Sequence, residues 1–237
     1  MRYFGGKQRI SKELSNFLNN NLKDGQPFVD LFCGACNIVS KIDSNRLRIA
    51  NDKHKYLIAM WKSLQQGREM PDSVSEEQYK YIRDHKDEDM ALTGFVGFGL
   101  SYSGKWFGGY CRSKDNRNYC LNAKNSNNKI LPYIIDADFE CCDYKDVDIP
   151  IGAMVYCDIP YKGTQGYTHD GEELEFDYEA FYNWVRDKSK DGYKIYISEY
   201  QMPSDFKEIL TIDTNSRLND KSPKKVKEKL FKNENIR

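Results

Sequence analysis

The sequence lacks an excess of charge of either sign, and it lacks any long apolar run. Its 237 residues hold 36 Lys and Arg against 36 Asp and Glu. A nucleic-acid binder with this composition would depend on local basic patches, because no overall positive charge draws it to phosphates. No apolar stretch approaches the roughly 20 residues that cross a bilayer, so we expect no membrane partner.

Signals for secretion and for metal binding are also lacking. Residues 1–7 do not contain the apolar segment of a secretory signal. Of the seven cysteines, only Cys33 and Cys36 form a Cys-x-x-Cys pair, and no second pair completes a zinc site. We therefore expect reduced thiols, no metal and a cytoplasmic setting. Tyrosine is frequent, with 17 copies, which fits either a surface that stacks on flat ligands or a Tyr-rich core.

Apolar helices and strands alternate at both ends of the chain. Helical spacing covers residues 10–22, and further helices are predicted after the turn at 33–35 to about residue 43, over 57–64 and over 178–189. The predicted strands are 28–32, 47–50, 138–142, 153–158, 193–198, 209–212 and 228–231. This alternation predicts a doubly wound α/β sheet.

The middle of the chain does not keep this rhythm. We predict one α/β domain from residues 1–52 and 136–237, interrupted by an insertion over residues 53–135. Residues 94–109 contain six glycines interleaved with aromatic residues, which we interpret as loops or a hairpin.

Three segments at predicted strand ends are candidates for a ligand site, since open α/β sheets bind ligands outside the carboxyl ends of their strands. Gly34 follows the first strand, where glycine permits close approach of the backbone to a ligand, although a glycine in this position more often forms a simple tight turn. Asp52 follows the second strand, where ribose hydroxyls are held in nucleotide-binding folds, or it is a solvated turn residue.

The third segment is Asp158-Ile159-Pro160-Tyr161, which follows the strand at 153–158. A carboxylate and the Ile159 carbonyl could accept both N–H bonds of an exocyclic amine and aim its lone pair at an electrophilic methyl group. Pro160 fixes the chain. The ring of Tyr161 could stack on an extruded base, a contact worth about 1–3 kcal/mol. An ordinary Asp-x-Pro turn is the alternative.

Together these residues resemble a known family. Asp158-Ile159-Pro160-Tyr161 resembles the Asp-Pro-Pro-Tyr box of S-adenosylmethionine-dependent amino-methyltransferases. Residues 3–7 resemble the Tyr-x-Gly-Gly-Lys opening of the Dam-like, D12-class DNA adenine-N6 methyltransferases, and residues 32–36 resemble their Phe-x-Gly-x-Gly cofactor motif. The order of opening, cofactor motif, insertion and catalytic box is also that of the Dam-like group.

The resemblance implies a Rossmann-like class I methyltransferase sheet with an inserted, mostly helical and loop target-recognition region. It implies that Asp158, Ile159, Pro160 and Tyr161 form the catalytic box. The residues that it implies for binding S-adenosylmethionine are Tyr3, Gly5, Gly6, Lys7, Phe32, Cys33, Gly34, Asp52, Asp143, Tyr144 and Asp158. Two positions depart from the family pattern: Cys36 stands where a second glycine is expected, and Ile159 stands where the first proline is expected.

The insertion contains a basic, aromatic and glycine-rich stretch that suits DNA binding and base flipping. The residues that we predict to contact DNA are Lys105, Trp106, Tyr110, Arg112, Lys114 and Arg117. The alternative is a glycine-rich loop that packs its aromatic rings on the core. Lysines at residues 221–232 give a second basic stretch, which is either a phosphate contact or a solvated face.

The predicted function is methylation of N6 of an adenine flipped from duplex DNA, with S-adenosylmethionine as methyl donor, by a monomer in a bacterial or phage-infected cell. Methylation of cytosine N4 is one alternative, because that exocyclic amine must also be drawn toward tetrahedral geometry before its lone pair can attack a methyl group. A relative with weak or lost catalysis that binds DNA or cofactor is the other, given Cys36 and Ile159.

Overall fold

Strands and helices alternate along the chain in a computed structural model that describes residues 1, 3–112, 117–162, 168–169, 172–173, 176–216 and 224–233. The strands are β1 (Phe28–Asp30), β2 (Arg48–Asn51), β3 (Asp138–Glu140), β4 (Met154–Asp158), β5 (Thr168–His169), β6 (Glu172–Glu173), β7 (Lys194–Glu199), β8 (Phe206–Ser216) and β9 (Lys224–Asn233). The helices are α1 (Ser11–Asn21), α2 (Lys55–Gln65), α3 (Glu76–Asp84), α4 (Met90–Gly99), α5 (Tyr119–Ile130) and α6 (Tyr178–Lys190).

One sheet of seven strands has the order β3-β2-β1-β4-β7-β9-β8. The first five strands in this order are parallel, whereas β9 runs antiparallel to both β7 and β8. β5 and β6 form a separate antiparallel pair. The chain crosses from β1 to β2 on one side and reaches β4 on the other, so a switch point lies between β1 and β4, where such sheets bind ligands.

The carboxyl ends of the parallel strands lie at one edge of the sheet, and each of these strands ends in a polar residue. The last residues of β3, β2, β1, β4 and β7 are Glu140, Asn51, Asp30, Asp158 and Glu199. β1, β2 and β4 are buried on both faces, as in other covered parallel sheets. Because the strands are buried, β1 and β4 appear in the sequence as unbroken apolar runs and could be predicted from them. β1 and β4 are neighbours in the sheet, so their last residues, Asp30 and Asp158, lie at the same edge.

Two hydrophobic clusters cover the two faces of the sheet. The first contains residues of α1, α2 and α4 together with Phe28 and Tyr156. The second contains residues of α6 together with Val29 and Val155. Helices within residues 53–135 thus share the first cluster with the sheet, and a separate recognition region there remains a prediction. Among the residues described, no helix has the length and apolar character needed to span a membrane.

The glycine-rich part of the insertion differs from the prediction, because residues 90–99 form α4 rather than loops or a hairpin. A Cβ on Gly94 would lie 2.0 Å from the carbonyl oxygen of Tyr56, and a Cβ on Gly97 would lie 2.3 Å from the ring of Trp106. Glycine is unfavourable inside helices, but here it permits close packing of α4 on α2 and on an aromatic ring. The prediction was therefore wrong for residues 94–99, whereas residues 101–110 form a loop closed by an antiparallel bridge between Ser101 and Tyr110.

One predicted helix was also wrong, and two predicted strands were in the right place but too short. The helix expected between Gly34 and residue 43 is only a 3-10 turn, Val39–Lys41, because the chain first turns through positive φ values at Gly34 and Cys36. The last two strands, predicted at 209–212 and 228–231, extend over the whole of β8 and β9. The predicted bounds covered only the apolar residues of each strand. The charged and polar residues on either side belong to the strands as well.

Candidate active site at the ends of β1 and β4

A cleft lies at the carboxyl ends of β1 and β4. It is lined by Tyr3, Gly5, Gly6, Lys7, Asp30, Phe32, Cys33, Gly34, Ala35, Asn37, Ile38, Tyr156 and Asp158. The fold thus joins the N-terminal segment, the turn after β1 and the end of β4, which are far apart in the sequence. Eight of the residues predicted from the sequence meet here: Tyr3, Gly5, Gly6, Lys7, Phe32, Cys33, Gly34 and Asp158.

The turn after β1 depends on Gly34. Its φ is +48°, and a Cβ at this position would lie 2.9 Å from Cε1 of Tyr3. The indole N–H of Trp61 donates a hydrogen bond to the carbonyl oxygen of Gly34 at 3.0 Å. Any other residue would be strained and would displace the ring of Tyr3, so the glycine is required both by the backbone and by its neighbour.

Cys36, which stands in place of the second glycine, also has a positive φ, of +56°. Its side chain is fully buried in the first hydrophobic cluster, and it is not among the described residues that line the cleft. A non-glycine residue in this conformation costs roughly 1 kcal/mol. The thiol therefore adds to the core and leaves the floor of the cleft open.

Asp52 holds this turn to the start of α2. Its two carboxylate oxygens accept hydrogen bonds from the backbone N–H of Gly34 at 3.0 Å and of His54 at 2.9 Å. Burial raises the pKa of Asp52 to about 6, and the two backbone N–H groups oppose this shift. A role for Asp52 in ribose binding remains a prediction, whereas its role in fixing the turn follows from these two bonds.

Lys7 enters the cleft from the N-terminal segment. A turn closed by the hydrogen bond from Gly6 N–H to the Tyr3 carbonyl, 3.1 Å long, precedes it. The Lys7 ammonium lies 2.7 Å from Oδ1 of Asp158 and 4.3 Å from the ring centroid of Tyr161. Burial raises the pKa of Asp158, and the charge of Lys7 opposes that rise.

The catalytic box continues from the end of β4. The side chain of Ile159 is buried in the second hydrophobic cluster, so the isoleucine that replaces proline is accommodated by the core. After Pro160, the hydroxyl of Tyr161 donates to Oε2 of Glu228 at 2.6 Å. The Tyr161 ring meets the ring of Tyr200 edge-on, with centroids 4.6 Å apart.

Asp30, the last residue of β1, is a cleft residue that the sequence analysis missed. Only 1% of the residue is exposed, and its Oδ1 has no hydrogen-bond partner. Burial, and secondarily the charge of Asp158, raises its pKa well above the ordinary value. Buried polar atoms are nearly always partnered, so an unpartnered carboxylate oxygen in a cleft fits a cationic or N–H-bearing ligand. A carboxylate inside an apolar strand was the signal that could have found it.

Asp143 and Tyr144 lie outside the cleft. Asp143 pairs with Lys53 at 3.1 Å. The ring of Tyr144 is buried, with its centroid 5.8 Å from that of Phe32 and 5.3 Å from that of Phe181. Tyr144 thus supports Phe32, which does line the cleft, and direct cofactor contact by either residue remains a prediction.

The aromatic residues predicted to contact DNA pack against the protein. The ring of Trp106 stacks on Tyr56, with centroids 5.3 Å apart, and meets His54 at 4.3 Å. The hydroxyl of Tyr110 donates to the carbonyl oxygen of Val74 at 2.7 Å. Such packing is the alternative described for a glycine-rich loop, and a role for these two rings in DNA binding remains a prediction.

The predicted basic contacts lie nearer the surface. The ammonium of Lys105 lies 4.8 Å from the ring centroid of Phe4. Arg112 is exposed and pairs with Glu76 at 2.6 Å, and Arg117 is exposed. Lys114 lies outside the described residues. Phosphate contact by these residues remains a prediction.

The sheet order, with a cleft at the switch point between β1 and β4, is that of a Rossmann-like α/β fold. Residues 3–222 match the model of the D12 class N6 adenine-specific DNA methyltransferases, and the chain belongs to this family. The family uses S-adenosylmethionine and acts on adenine in DNA. The predicted fold class, family and cofactor are thus confirmed, and the cytosine alternative is not favoured.

Two solved structures share low identity with the chain. Precorrin 8w decarboxylase from Methanobacterium thermoautotrophicum is 12% identical, with a TM-score of 0.39, over 93% of this chain and 89% of that one. SMU.472, described as a methyltransferase complexed with SAH, is 13% identical, with a TM-score of 0.39, over 98% of this chain. The chain spans about half of SMU.472, 54%. No curated protein matches the chain.

Proposed function

We propose that the cleft between β1 and β4 is where the methyl group passes to N6 of adenine, with Asp158 as the acceptor for the base amine. One observation carries this assignment: the Asp158 carboxylate already holds an N–H donor, the Lys7 ammonium, inside the cleft at 2.7 Å. The same oxygen suits an exocyclic amine. The position of Asp158 at the switch point beside the glycine turn supports the assignment.

The cofactor half of the cleft is assigned to the N-terminal segment and the turn after β1. Tyr3, Phe32 and Gly34 line that half, and the Asp30 carboxylate fits the positive charge of the cofactor. When bound, S-adenosylmethionine supplies an electrophilic methyl group. The protein contributes a backbone turn without a Cβ at Gly34 and a buried carboxyl group at the end of β1.

The base half is assigned to the catalytic box. Asp158 and the Ile159 carbonyl accept the two N–H bonds of the amine, which draws the nitrogen toward tetrahedral geometry and frees its lone pair. Tyr161 offers its ring as a stacking surface for the base. In this geometry Lys7 occupies both positions, against the carboxylate and over the ring, so it must move before the base enters.

Duplex DNA is the proposed form of the substrate, because a base must leave its stack to reach a carboxylate in a cleft. Lys105, Arg112 and Arg117 are the described cations of the insertion proposed to contact phosphates. We also propose that the protein acts as a monomer.

Expression in a host without adenine methylation tests this proposal. DNA from cells that express the wild type should contain N6-methyladenine at one short sequence, and DNA from cells that express Asp158→Ala should contain none. Asp148→Ala, an exposed carboxylate between β3 and β4, is the matched control. Methylated cytosine, or equal methylation by the Asp158 variant, would contradict the proposal.

A further inference from the structure

Tyr161, the ring of the catalytic box, is fixed by a carboxylate from a distant strand. Its hydroxyl donates to Oε2 of Glu228 at 2.6 Å, and Glu228 lies on β9, two strands from β4 in the sheet. A short hydrogen bond from a hydroxyl to a carboxylate belongs to the stronger class of hydrogen bonds. Burial raises the pKa of Tyr161 well above its ordinary value, so the hydroxyl keeps its proton and remains the donor.

Strand alternation explains why this carboxylate reaches the ring. Side chains two residues apart in a strand share a face, so Glu228 lies on the same face as the buried Leu230. Lys229 lies on the opposite face and pairs with Glu208 at 2.7 Å. Glu228 is the one acidic residue in the sequence 224–233, which otherwise reads as a lysine-rich charge run.

A second carboxylate holds the backbone that follows the ring. Glu199, 1% exposed at the end of β7, accepts the backbone N–H of Lys162 at 3.0 Å and of Tyr200 at 2.6 Å. Tyr200 in turn places its ring edge-on against Tyr161. The hydroxyl, one edge of the ring and the adjoining backbone of Tyr161 are therefore each restrained from β7 or β9.

We propose that Glu228 is a positioning residue for methyl transfer, which sets the plane of the Tyr161 ring before the base arrives. The inference rests on the proposed function of the cleft. A stacking surface with a fixed orientation favours one pose of the base over Asp158. Without the hydrogen bond, the ring can turn about its side-chain torsions, and fewer bound bases reach the reactive pose.

Steady-state methylation of unmethylated duplex DNA, with labelled S-adenosylmethionine, tests the inference in the full chain. We expect Glu228→Ala to lower kcat about tenfold while the Kd for S-adenosylmethionine changes less than twofold. Glu228→Gln should keep most of the activity, because its amide oxygen still accepts the hydroxyl. Glu208→Ala, a carboxylate on the neighbouring strand away from the box, is the matched control and should behave as wild type.

The double variant gives a test that a merely structural role would not pass. Tyr161→Phe removes the same hydrogen bond from the other side and keeps the ring, so it should match Glu228→Ala, and the two changes combined should cost no more than either one. Wild-type kcat in Glu228→Ala, or losses that multiply in the double variant, would overturn the inference. If the wild type transfers no methyl group, the proposed function is wrong, and the inference, which rests on it, is wrong as well. If only the comparison among variants fails, the inference alone is wrong.

Discussion

The ends of β1 and β4 differ from the ends of β2 and β3 in what their carboxylates contact. Asp30 and Asp158 line the cleft, and Asp30 keeps an oxygen without a partner. Asp52 and Asp143, which follow β2 and β3, are engaged by backbone N–H groups or by a lysine. Asp158 is bonded too, but its partner Lys7 lies inside the cleft. What separates the two pairs is therefore whether the carboxylate faces the cleft, where a ligand can reach it, or fixes the protein outside it. The difference divides the sheet edge into a supporting side and a reacting side.

The largest effect is expected on the reacting side. Asp158→Ala removes the acceptor proposed for the base amine and should lower kcat by about 100- to 1000-fold, the usual loss when one group that acts in the transition state is removed. Single-turnover methylation at saturating DNA measures it. A loss of less than fivefold would place the chemistry elsewhere.

On the supporting side, Asp52→Asn should act through the turn. An amide can keep only one of the two hydrogen bonds from Gly34 and His54, so we expect the free energy of unfolding to fall by about 1–3 kcal/mol. Denaturant unfolding measures this change. If the affinity for the cofactor falls while the free energy of unfolding does not, Asp52 contacts the cofactor directly. Its assignment to the supporting side of the sheet edge would then be wrong.

Lys7→Met probes the electrostatics of the reacting side. The Lys7 charge lowers the pKa of Asp158, against the larger effect of burial, so its removal should raise that pKa further. Asp158 must be ionised to accept the amine, and the ion pair exists in the enzyme without DNA, so the acid limb of the kcat/KM profile should move to higher pH. Lys12→Met, on the exposed side of α1, is the control. An unchanged profile would show that the ion pair does not control this carboxylate.

Asp30→Asn should stabilise the protein without ligand. Because the folded-state pKa of Asp30 is raised, the wild type loses stability as pH rises from its unfolded value near 4 through the folded value. Asparagine carries no charge to desolvate, so the variant should gain on the order of 1 kcal/mol at pH 8 and nothing near pH 4. Unfolding curves at both pH values measure this, with the exposed Asp24→Asn as control. If Asp30→Asn is less stable than the wild type at pH 8, then hydrogen bonds or nearby positive charge stabilise the ionised Asp30 in the fold, and the prediction is wrong.

The smallest effect is expected for Asp143→Ala. Asp143 forms a partly exposed ion pair with Lys53, and such pairs contribute about 0–1 kcal/mol. Cofactor affinity and kcat should change less than twofold. A tenfold loss in either would restore the sequence-based prediction that Asp143 binds the cofactor or the base.

The sequence predicted the sheet well because buried parallel strands leave unbroken apolar runs, as at 28–32 and 153–158. It also predicted Gly34, Lys7 and Asp158 through their resemblance to one family. It could not predict α4, since glycines that permit close helix packing look the same as glycines in loops. Asp30 could have been found from its place inside the apolar run 28–32. Glu228 could not be found from the sequence, because its role depends on the Tyr161 hydroxyl that the fold brings to it.

Titration of S-adenosylmethionine into Asp158→Ala and Asp30→Asn, side by side with the wild type, tests the division of the cleft most directly. We predict that Asp158→Ala binds the cofactor within twofold of the wild type, whereas Asp30→Asn, without its buried carboxyl group, binds at least about tenfold more weakly. Weak binding by Asp158→Ala together with wild-type binding by Asp30→Asn would contradict the account.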